Sequence, residues 1–476
     1  MNEVFEKTIR YVTDRIGSAG GVFVAIRDGE PVIRECFGMA DIEAGRPVTE
    51  DSIFTIASDT KAFTTMLVAM LCDEGILDWD KPVRTWWPDF FLGDDYVSAH
   101  ITLRDMASHR SGIQSHYLLR RIATAKGWSR EEYVKHIQQI PLTCQFRYRL
   151  FYQNELYVAM GWLLEMVTGK SWEQLVRERI AEPLGMDIGF RGLPLEYTDI
   201  AKPYNSYFGP RTEPAEYSTD SKANPCGGIR TNLRGIEKWL RLLIAGGRLP
   251  DGTRLVSEKQ FKNLYRPNAF WSDPAAPIPD HNRYYGLGLA PSTYRGEKLV
   301  YHGGNIAGYR ASVGFFPEKN SGYAILINSG AQPLRVLKKL LMDSALGCLQ
   351  DDYTEIADYY LRLFEEKKTV LPKTPVSDSL RALAVGTWYH PAYEDMEISD
   401  NGDGSLTLTC PAASAVLYET EPGLLRGILD NGWPNVFLRF DADGKHGTFN
   451  FCPAANPTPT RFEKTENGGH HYAESL

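Results

Sequence analysis

Residues 58–72, SDTKAFTTMLVAMLC, place a serine and a lysine three positions apart at the start of a run that is otherwise almost wholly apolar. Because the apolar residues do not keep to one face, the run predicts a central helix that is buried nearly all round. A buried ammonium group without a partner is costly. Lys61 therefore needs either a route to solvent or a chemical use.

Two interpretations of Ser58 and Lys61 follow from this spacing. In a helix the two side chains share one face, one turn apart. Burial and the positive helix N-terminus both lower the pKa of a lysine, and a neutral lysine can accept the proton of a serine hydroxyl. The alternative is a serine N-cap beside a lysine whose amino group reaches water. The S-x-x-K spacing alone favours this alternative, because the pattern is common.

The bulk composition limits the classes of protein. A length of 476 residues predicts two or three domains at about 150 residues each. A net charge of −8 disfavours nucleic acid and anionic membrane surfaces as partners, and no apolar run is long enough to span a membrane. The N-terminus lacks a signal-peptide layout, and seven cysteines without C-x-x-C spacing are typical of free thiols. We therefore expect a cytoplasmic protein, with no cofactor and no metal.

The strand signals come from both ends of a large first region. GVFVAIRDGEPVIRECFG (21–38) predicts a hairpin, and strand-like runs return at 298–304, 310–317 and 322–330. Helical patterns lie between these two groups of strands. This arrangement predicts an α+β fold whose sheet is completed by segments distant in sequence.

The texture of the chain changes after residue 380. A predicted helix at 354–368 and a Pro-containing linker precede eight short strand-like runs separated by Asn, Gly, Asp and Pro. Such spacing predicts a small antiparallel barrel or sandwich. The predicted division is a first domain at 1–353, a helix and linker at 354–380, and a β-domain at 381–476.

Two further motifs carry polar groups next to apolar elements. FYQNELYVAMG (151–161) holds Tyr152 and Asn154, which point to the same side of an extended segment. The alternative is that Asn154 caps the following helix and Tyr152 is a half-buried aromatic residue. LVYHGGNIAGYRA (299–311) holds His302 at a strand end, before glycines that allow close approach to the backbone. A structural histidine in a hairpin turn is the alternative there.

Taken together, S-x-x-K, Y-x-N and H-x-G in this order resemble the signature of the serine β-lactamase and penicillin-binding-protein superfamily, in its class C-like branch. ITLRDMASHRSGI (101–113) and residues 224–247 resemble further segments of that branch. The resemblance covers residues 1 to about 345. It implies a β-lactamase/transpeptidase-like domain, with an antiparallel sheet and a helical subdomain. The C-terminal runs resemble the lipocalin-like barrel that some members carry.

The resemblance also implies an acylation machinery. Ser58 corresponds to the acylated nucleophile and Lys61 to its base. Tyr152 corresponds to the residue that moves a proton to and from the leaving group, and Asn154 to the residue that orients Lys61 and the substrate amide. On this interpretation Lys61 is buried so that it is uncharged when Ser58 attacks.

The third motif corresponds to the substrate side of the pocket. His302 stands where β-lactam-directed enzymes usually carry a lysine, which disfavours β-lactamase activity. Gly303 and Gly304 are implied to contact substrate, and the backbone N–H groups of Ser58 and Asn305 to form the oxyanion hole. A departure from many relatives lies at 144–154, CQFRYRLFYQN, where arginines replace Pro-Gly and are expected to change the shape or charge of the pocket.

The function implied is a serine hydrolase that cleaves an ester or amide of a small molecule or short peptide. A D-residue peptide and a secondary-metabolite acyl group are candidate substrates. One alternative is an acyltransferase or peptide cyclase of the penicillin-binding-protein-type thioesterase kind, and another is a non-catalytic ligand-binding protein. The oligomeric state is left open. Two roles are open for the β-domain. It is either a stability or assembly module, or a lid over the acyl-serine with Trp388 and Trp433 in its wall.

Overall fold

The computed structural model describes residues 3–16, 19–194, 198–204, 221–271, 284–306, 308–329, 333–365, 373–429, 435–451 and 459–465. The described strands are β1 (Gly20–Arg27), β2 (Glu30–Asp41), β3 (Arg46–Pro47), β4 (Phe54–Thr55), β5 (Gly189–Phe190), β6 (Ile229–Thr231), β7 (Ala269–Phe270), β8 (Tyr284–Tyr285), β9 (Ala290–Tyr294), β10 (Glu297–Ile306), β11 (Tyr309–Phe316), β12 (Ser321–Ile327), β13 (Gly386–His390), β14 (Glu394–Asp400), β15 (Leu406–Cys410), β16 (Ala413–Glu421), β17 (Leu424–Leu429), β18 (Asn435–Phe440), β19 (His446–Asn450) and β20 (Thr460–Thr465).

The described α-helices are α1 (Glu3–Ile16), α2 (Thr60–Asp73), α3 (Asp95–His100), α4 (Leu103–Ala107), α5 (Tyr117–Ala125), α6 (Arg130–Ile137), α7 (Glu155–Thr168), α8 (Trp172–Val176), α9 (Glu182–Leu184), α10 (Asn224–Gly227), α11 (Leu233–Ile244), α12 (Glu258–Leu264), α13 (Pro333–Ala345), α14 (Thr354–Glu365) and α15 (Asp378–Ala384).

A seven-stranded antiparallel sheet in the order β3-β2-β1-β12-β11-β10-β9 forms the centre of the first region. Its hairpin β1–β2 turns at Asp28 and Gly29, both with positive φ, as a type I′ hairpin turn requires. The first strand pairs with β12, so that Val24 lies opposite Ala324. The predicted α+β sheet, closed by segments distant in sequence, is confirmed.

Strand β1 shows how the sheet separates two helical layers. Val22, Val24 and Ile26 belong to one apolar cluster, and Phe23 and Ala25 belong to another, because successive side chains point to opposite faces. Helices α2 and α11 belong to the first face, while α1, α13 and α14 cover the second. Helix α2 therefore lies on the first face, buried on all sides as its sequence predicts.

Strands β13–β20 form a closed eight-stranded barrel in which each strand pairs with its sequence neighbours and β20 returns to β13. All eight predicted strand-like runs are strands, and the barrel rather than a sandwich is confirmed. Its interior contains aromatic rings in mutual contact: Trp388 lies beside Phe440 and Phe449, and Phe449 stacks on Phe462. Trp388 is thus a core residue of the barrel and not part of a wall over the serine, while Trp433 lies outside the described residues.

Helix α15 was not predicted by the sequence. It packs beside the barrel, where the Trp388 Nε1 donates to the Ala384 carbonyl at 2.8 Å and the Lys464 amino group donates to the Leu383 carbonyl at 2.9 Å. The predicted limit at residue 381 falls inside this helix. The six cysteines among the described residues are free thiols. In the same ranges, no helix is both long and apolar enough to cross a lipid bilayer.

Candidate active site

The segment that carries Ser58 changes from a strand to a helix within a few residues. A 3₁₀ turn, Ala57–Asp59, follows β4 and leads directly into α2. Ala57 has a φ of +48°, in the left-handed region that residues other than glycine seldom adopt. This turn leaves Ser58 half-buried at the start of the buried helix. Lys61 follows as the second residue of α2, with none of its surface exposed.

The Lys61 amino group has three oxygen neighbours. It lies 3.1 Å from the Ser58 hydroxyl, 2.7 Å from Asn154 Oδ1 and 2.9 Å from the Cys226 carbonyl oxygen. Burial lowers the pKa of Lys61 from about 10.5 to about 8. The alternative in which the lysine reaches water does not hold, because the amino group is enclosed.

Asn154 precedes α7 but does not cap it. Its side chain makes no capping hydrogen bond, and Gln153 Oε1 instead accepts from the Leu156 N–H at 2.8 Å. The side-chain oxygen Oδ1 of Asn154 is thereby available to Lys61. The capping alternative for Asn154 is therefore wrong.

Tyr152 lies over the same amino group. Lys61 Nζ is 4.9 Å from the centre of its half-buried ring. Burial raises the pKa of the Tyr152 phenol, and a hydrogen bond with Ser58 opposes that shift. The rings of His109 and Trp271 flank Tyr152, with centroids at 4.4 and 5.9 Å. The structure thus gathers the first two predicted motifs at one point.

His302 occupies the adjoining wall on β10. Its Nδ1 lies 2.9 Å from the Gly303 carbonyl, and burial lowers its pKa to about 3, so the ring is neutral with the proton on Nδ1. Nε2 then accepts from the Tyr285 hydroxyl at 2.8 Å. The centroids of His302 and Tyr152 are 6.4 Å apart. His302 supplies no positive charge at neutral pH.

The two glycines after His302 differ in what they face. A Cβ on Gly304 would overlap the carbonyl oxygen of Ile56, so β10 abuts the turn just before Ser58. A Cβ on Gly303 would meet only the Ala311 carbonyl oxygen, at 3.7 Å. The close approach expected at these glycines is made at Gly304 by the backbone of the protein itself. Asn305 is the next residue on this strand and is exposed.

Two buried carboxyl groups beside the motifs were not predicted to belong to the site. Asp59 is only 2% exposed, and burial raises its pKa to about 8, so that it is largely neutral at pH 7. Glu155 is 1% exposed and accepts the N–H groups of Asn154 and His116. Both residues lie inside the quoted stretches, but a sequence does not reveal that a carboxylate next to a motif is buried.

The two arginines at positions 147 and 149 have different surroundings. Arg147 grips the buried Asp105 carboxylate through Nε at 2.9 Å and Nη2 at 2.7 Å. Arg149 is exposed, with its guanidinium 4.3 Å from the centre of the Phe151 ring. Arg147 therefore anchors the segment that leads to Tyr152, and it shares the Asp105 carboxylate with Arg110, whose Nη2 donates to Oδ1 at 2.9 Å.

Comparisons with known proteins show which chains this one is similar to. The chain is 25% identical to the unguisins hydrolase of Aspergillus campestris over 431 residues, 84% of this chain and 78% of the relative. It is 29% identical to an esterase/beta-lactamase of Mycobacterium tuberculosis over 363 residues, 66% and 78% of the two chains. The octameric penicillin-binding protein homologue from Pyrococcus abyssi has the same fold, with a TM-score of 0.64, 22% identity and coverage of 98% and 100%.

The Beta-lactamase family model matches residues 5–346, which is well over half of the chain. Hydrolases and esterases are among the relatives that share this region. The chain belongs to the beta-lactamase family.

Proposed function

We propose that the protein is a serine hydrolase that cleaves an ester or amide through an acyl-Ser58 intermediate. Membership of the beta-lactamase family and relatives named as hydrolase and esterase support this class of reaction. The proposed substrates are small molecules or short peptides, with D-residue peptides and secondary-metabolite acyl groups as the classes to test first.

The observation that carries the proposal is the set of oxygens around Lys61 Nζ. The side-chain oxygen Oδ1 of Asn154 and the backbone carbonyl oxygen of Cys226 can only accept hydrogen bonds. A neutral amine has two N–H groups and one lone pair, so these two oxygens take both N–H groups. The lone pair then faces the remaining neighbour, the Ser58 hydroxyl at 3.1 Å. The geometry suits a lysine that removes the Ser58 proton.

Acylation follows from this arrangement. Ser58 Oγ attacks the substrate carbonyl carbon while its proton passes to Lys61 Nζ, which forms a tetrahedral oxyanion. The backbone N–H groups of Ser58 and Asn305 are proposed to bind that oxyanion. The proton then moves through Tyr152 to the leaving oxygen or nitrogen as the C–O or C–N bond breaks. Water attacks the acyl-serine in the second half of the cycle, and Ser58 regains its proton.

The surroundings of the reacting atoms bear on substrate preference. The neutral His302 and the rings of Tyr285 and Trp271 offer apolar faces and neutral hydrogen bonds in the place where a β-lactam carboxylate would need a cation. We therefore propose an uncharged group beside the scissile bond. Hydrolysis is preferred to acyl transfer because the similar proteins carry the names hydrolase and esterase.

Intact-protein mass spectrometry tests the proposal. The protein is mixed with p-nitrophenyl esters, D-amino-acid amides and peptidyl thioesters, each with and without an added amine, and the acyl adduct is located by peptide mapping. We expect an adduct on Ser58 and release of the free acid. Conversion of the acyl group into an amide in the presence of the amine would instead identify an acyltransferase, and the absence of any adduct would favour a binding protein.

Ser58→Ala is the matching variant. We expect it to lose turnover on the order of 10⁴-fold or more, as in other serine enzymes, while it stays folded. Ser344→Ala is the control, because Ser344 is a buried serine on α13 that donates to the Leu340 carbonyl, far from Ser58 in the fold. Near-normal turnover by the Ser58 variant would remove Ser58 from the reaction.

A further inference from the structure

The first hairpin of the barrel packs against two helices of the first region, α5 and α6. The loop between β13 and β14 presents Tyr393, which is 2% exposed and whose hydroxyl is hydrogen bonded to His116 Nδ1. Next to it, His136 Nδ1 donates to the Pro391 carbonyl at 3.2 Å, and Lys126 forms an ion pair with Glu394. The barrel is therefore joined to the N-terminus of α5 and to α6.

From the backbone of His116, hydrogen bonds through Glu155 and Asn154 lead to Lys61. The backbone N–H of His116 donates to Glu155 Oε1 at 2.8 Å, and the backbone N–H of Asn154 donates to the other oxygen of Glu155 at 2.9 Å. The Asn154 side chain then accepts from Lys61 at 2.7 Å. His116 and Glu155 are at most 3% exposed. Three hydrogen bonds thus separate the residue that holds Tyr393 from the Lys61 amino group.

We propose that Tyr393 of the barrel is a positioning residue for the Lys61–Asn154 pair, acting through His116 and Glu155. The inference rests on the proposed function of Lys61 as the base. It gives the barrel a role in acylation without any contact between the barrel and the substrate.

The Tyr393 hydroxyl matters because it makes the hydrogen bond that orients the imidazole ring of His116. His116 Nε2 is buried and has no hydrogen-bond partner within the described ranges. Burial and the nearby His390 keep the His116 ring neutral, since together they lower its pKa to about 3. Without the Tyr393 hydroxyl, the imidazole loses its remaining hydrogen bond in this part of the chain. His116, which precedes α5 and whose backbone N–H donates to Glu155, is then free to shift.

The experiment measures the acylation rate of the full chain from the burst of p-nitrophenolate released from p-nitrophenyl butyrate. Tyr393→Phe removes one hydroxyl and keeps the ring. We expect the acylation rate to fall about fivefold, the equivalent of one hydrogen bond, while the substrate dissociation constant, read from the concentration dependence of the burst rate, stays unchanged. Arg121→Met is the matched control: Arg121 lies on α5 and donates to the Ala412 carbonyl of the barrel at 2.9 Å, outside the series. It should acylate at the normal rate.

Two further measurements separate positioning from loosening of the interface. In an Asn154→Ala background, Tyr393→Phe should have no additional effect, because both changes act on one unit. At the histidine, His116→Leu should match Tyr393→Phe, whereas His116→Asn, which keeps a polar group near the Nδ1 position, should recover most of the rate.

Each outcome decides the inference. Equal losses in Tyr393→Phe and Arg121→Met, additive losses with Asn154→Ala, or a normal rate in Tyr393→Phe would each overturn it. The two proposals fail in different ways. If Ser58→Ala still forms the burst, the proposed function is wrong; if only Tyr393→Phe behaves like the unaltered protein, the function stands and the positioning role does not.

Discussion

Each face of the seven-stranded sheet carries a fully buried ionisable side chain, Lys61 on one face and Asp343 on the other, and these two are held differently. Lys61 on the α2 face is surrounded by neutral oxygens. Asp343 on the α13 face, with no exposed side-chain surface, accepts from Arg295 at 2.6 Å, from Tyr294 at 2.6 Å and from Tyr353 at 2.8 Å. Only Asp343 has a partner of opposite charge in direct contact.

The partners decide the charge state. Burial raises the pKa of Asp343, but hydrogen bonds from Arg295, Tyr294 and Tyr353 outweigh it and leave the pKa below its usual value. Burial of Lys61 is not outweighed in this way, and its pKa falls to about 8. A paired buried charge remains ionised and links elements of the fold. A buried base among neutral acceptors gives up its proton readily, which makes it suitable for chemistry.

The largest effect we predict separates the two faces by activity. Lys61→Met should reduce acylation on the order of 10³-fold or more, because the proposed base of Ser58 is lost. Its unfolding free energy should stay equal or rise, since an apolar side chain replaces a buried amine. Burst kinetics and urea denaturation measure the two quantities. A loss of stability with retained activity would reverse the assignment of this face.

Asp343→Asn is the reciprocal change. It removes the negative charge that Arg295 and the two tyrosines bind, at a cost of about 2–3 kcal/mol in unfolding free energy. The cost is below that of a fully buried pair because the Arg295 side chain is 37% exposed. The acylation rate per folded molecule should be unchanged. A drop in that rate comparable to the one in Lys61→Met would show that the two faces are coupled.

The features that could be predicted from the sequence are those that depend on local patterns. The hairpin at 21–38, the helix after Ser58 and the eight barrel strands follow from local periodicity and turn residues, and the structure has them. Helix α15 is only seven residues long, too short for a clear periodic signal. The hydrogen bond between His116 and Tyr393 joins residues that are 277 positions apart, and no local pattern relates them. The site motifs were visible because their spacing is local, whereas their supports were not.

Dependence on pH provides the next test, with an effect of about tenfold per pH unit. In the proposed function the neutral Lys61 amine is the base, so acylation should rise with pH and level off above about 8, the pKa of Lys61. Between pH 8 and 10.5 the unfolded lysine binds a proton that the folded one does not, so the unfolding free energy should increase with pH. Asp343 acts in another window: its contribution is complete above pH 3.8 and is lost as the pH falls through its lowered pKa.

Comparison of each pH profile with that of the matching variant isolates each group. The rise in stability between pH 8 and 10.5 should be smaller in Lys61→Met, and the loss at acid pH should be smaller in Asp343→Asn. A rate profile of the unaltered protein that is flat from pH 6 to 9 would exclude Lys61 as the titrating base.

The smallest predicted difference uses one chemical change on both faces. The Tyr353 hydroxyl donates to the Asp343 carboxylate at 2.8 Å, whereas the Tyr285 hydroxyl donates to the neutral His302 ring at the same distance. Hydrogen bonds to charged acceptors contribute more than those to neutral ones, so Tyr353→Phe should cost about 2 kcal/mol and Tyr285→Phe about 1 kcal/mol. Urea denaturation at pH 7 resolves this difference. Equal losses would mean that the Asp343 carboxylate is no better an acceptor than a neutral imidazole, and the distinction between a charged and a neutral face would not hold. The greater loss at Tyr353 should also vanish in an Asp343→Asn background, because the acceptor is then neutral, while the loss at Tyr285 should stay the same.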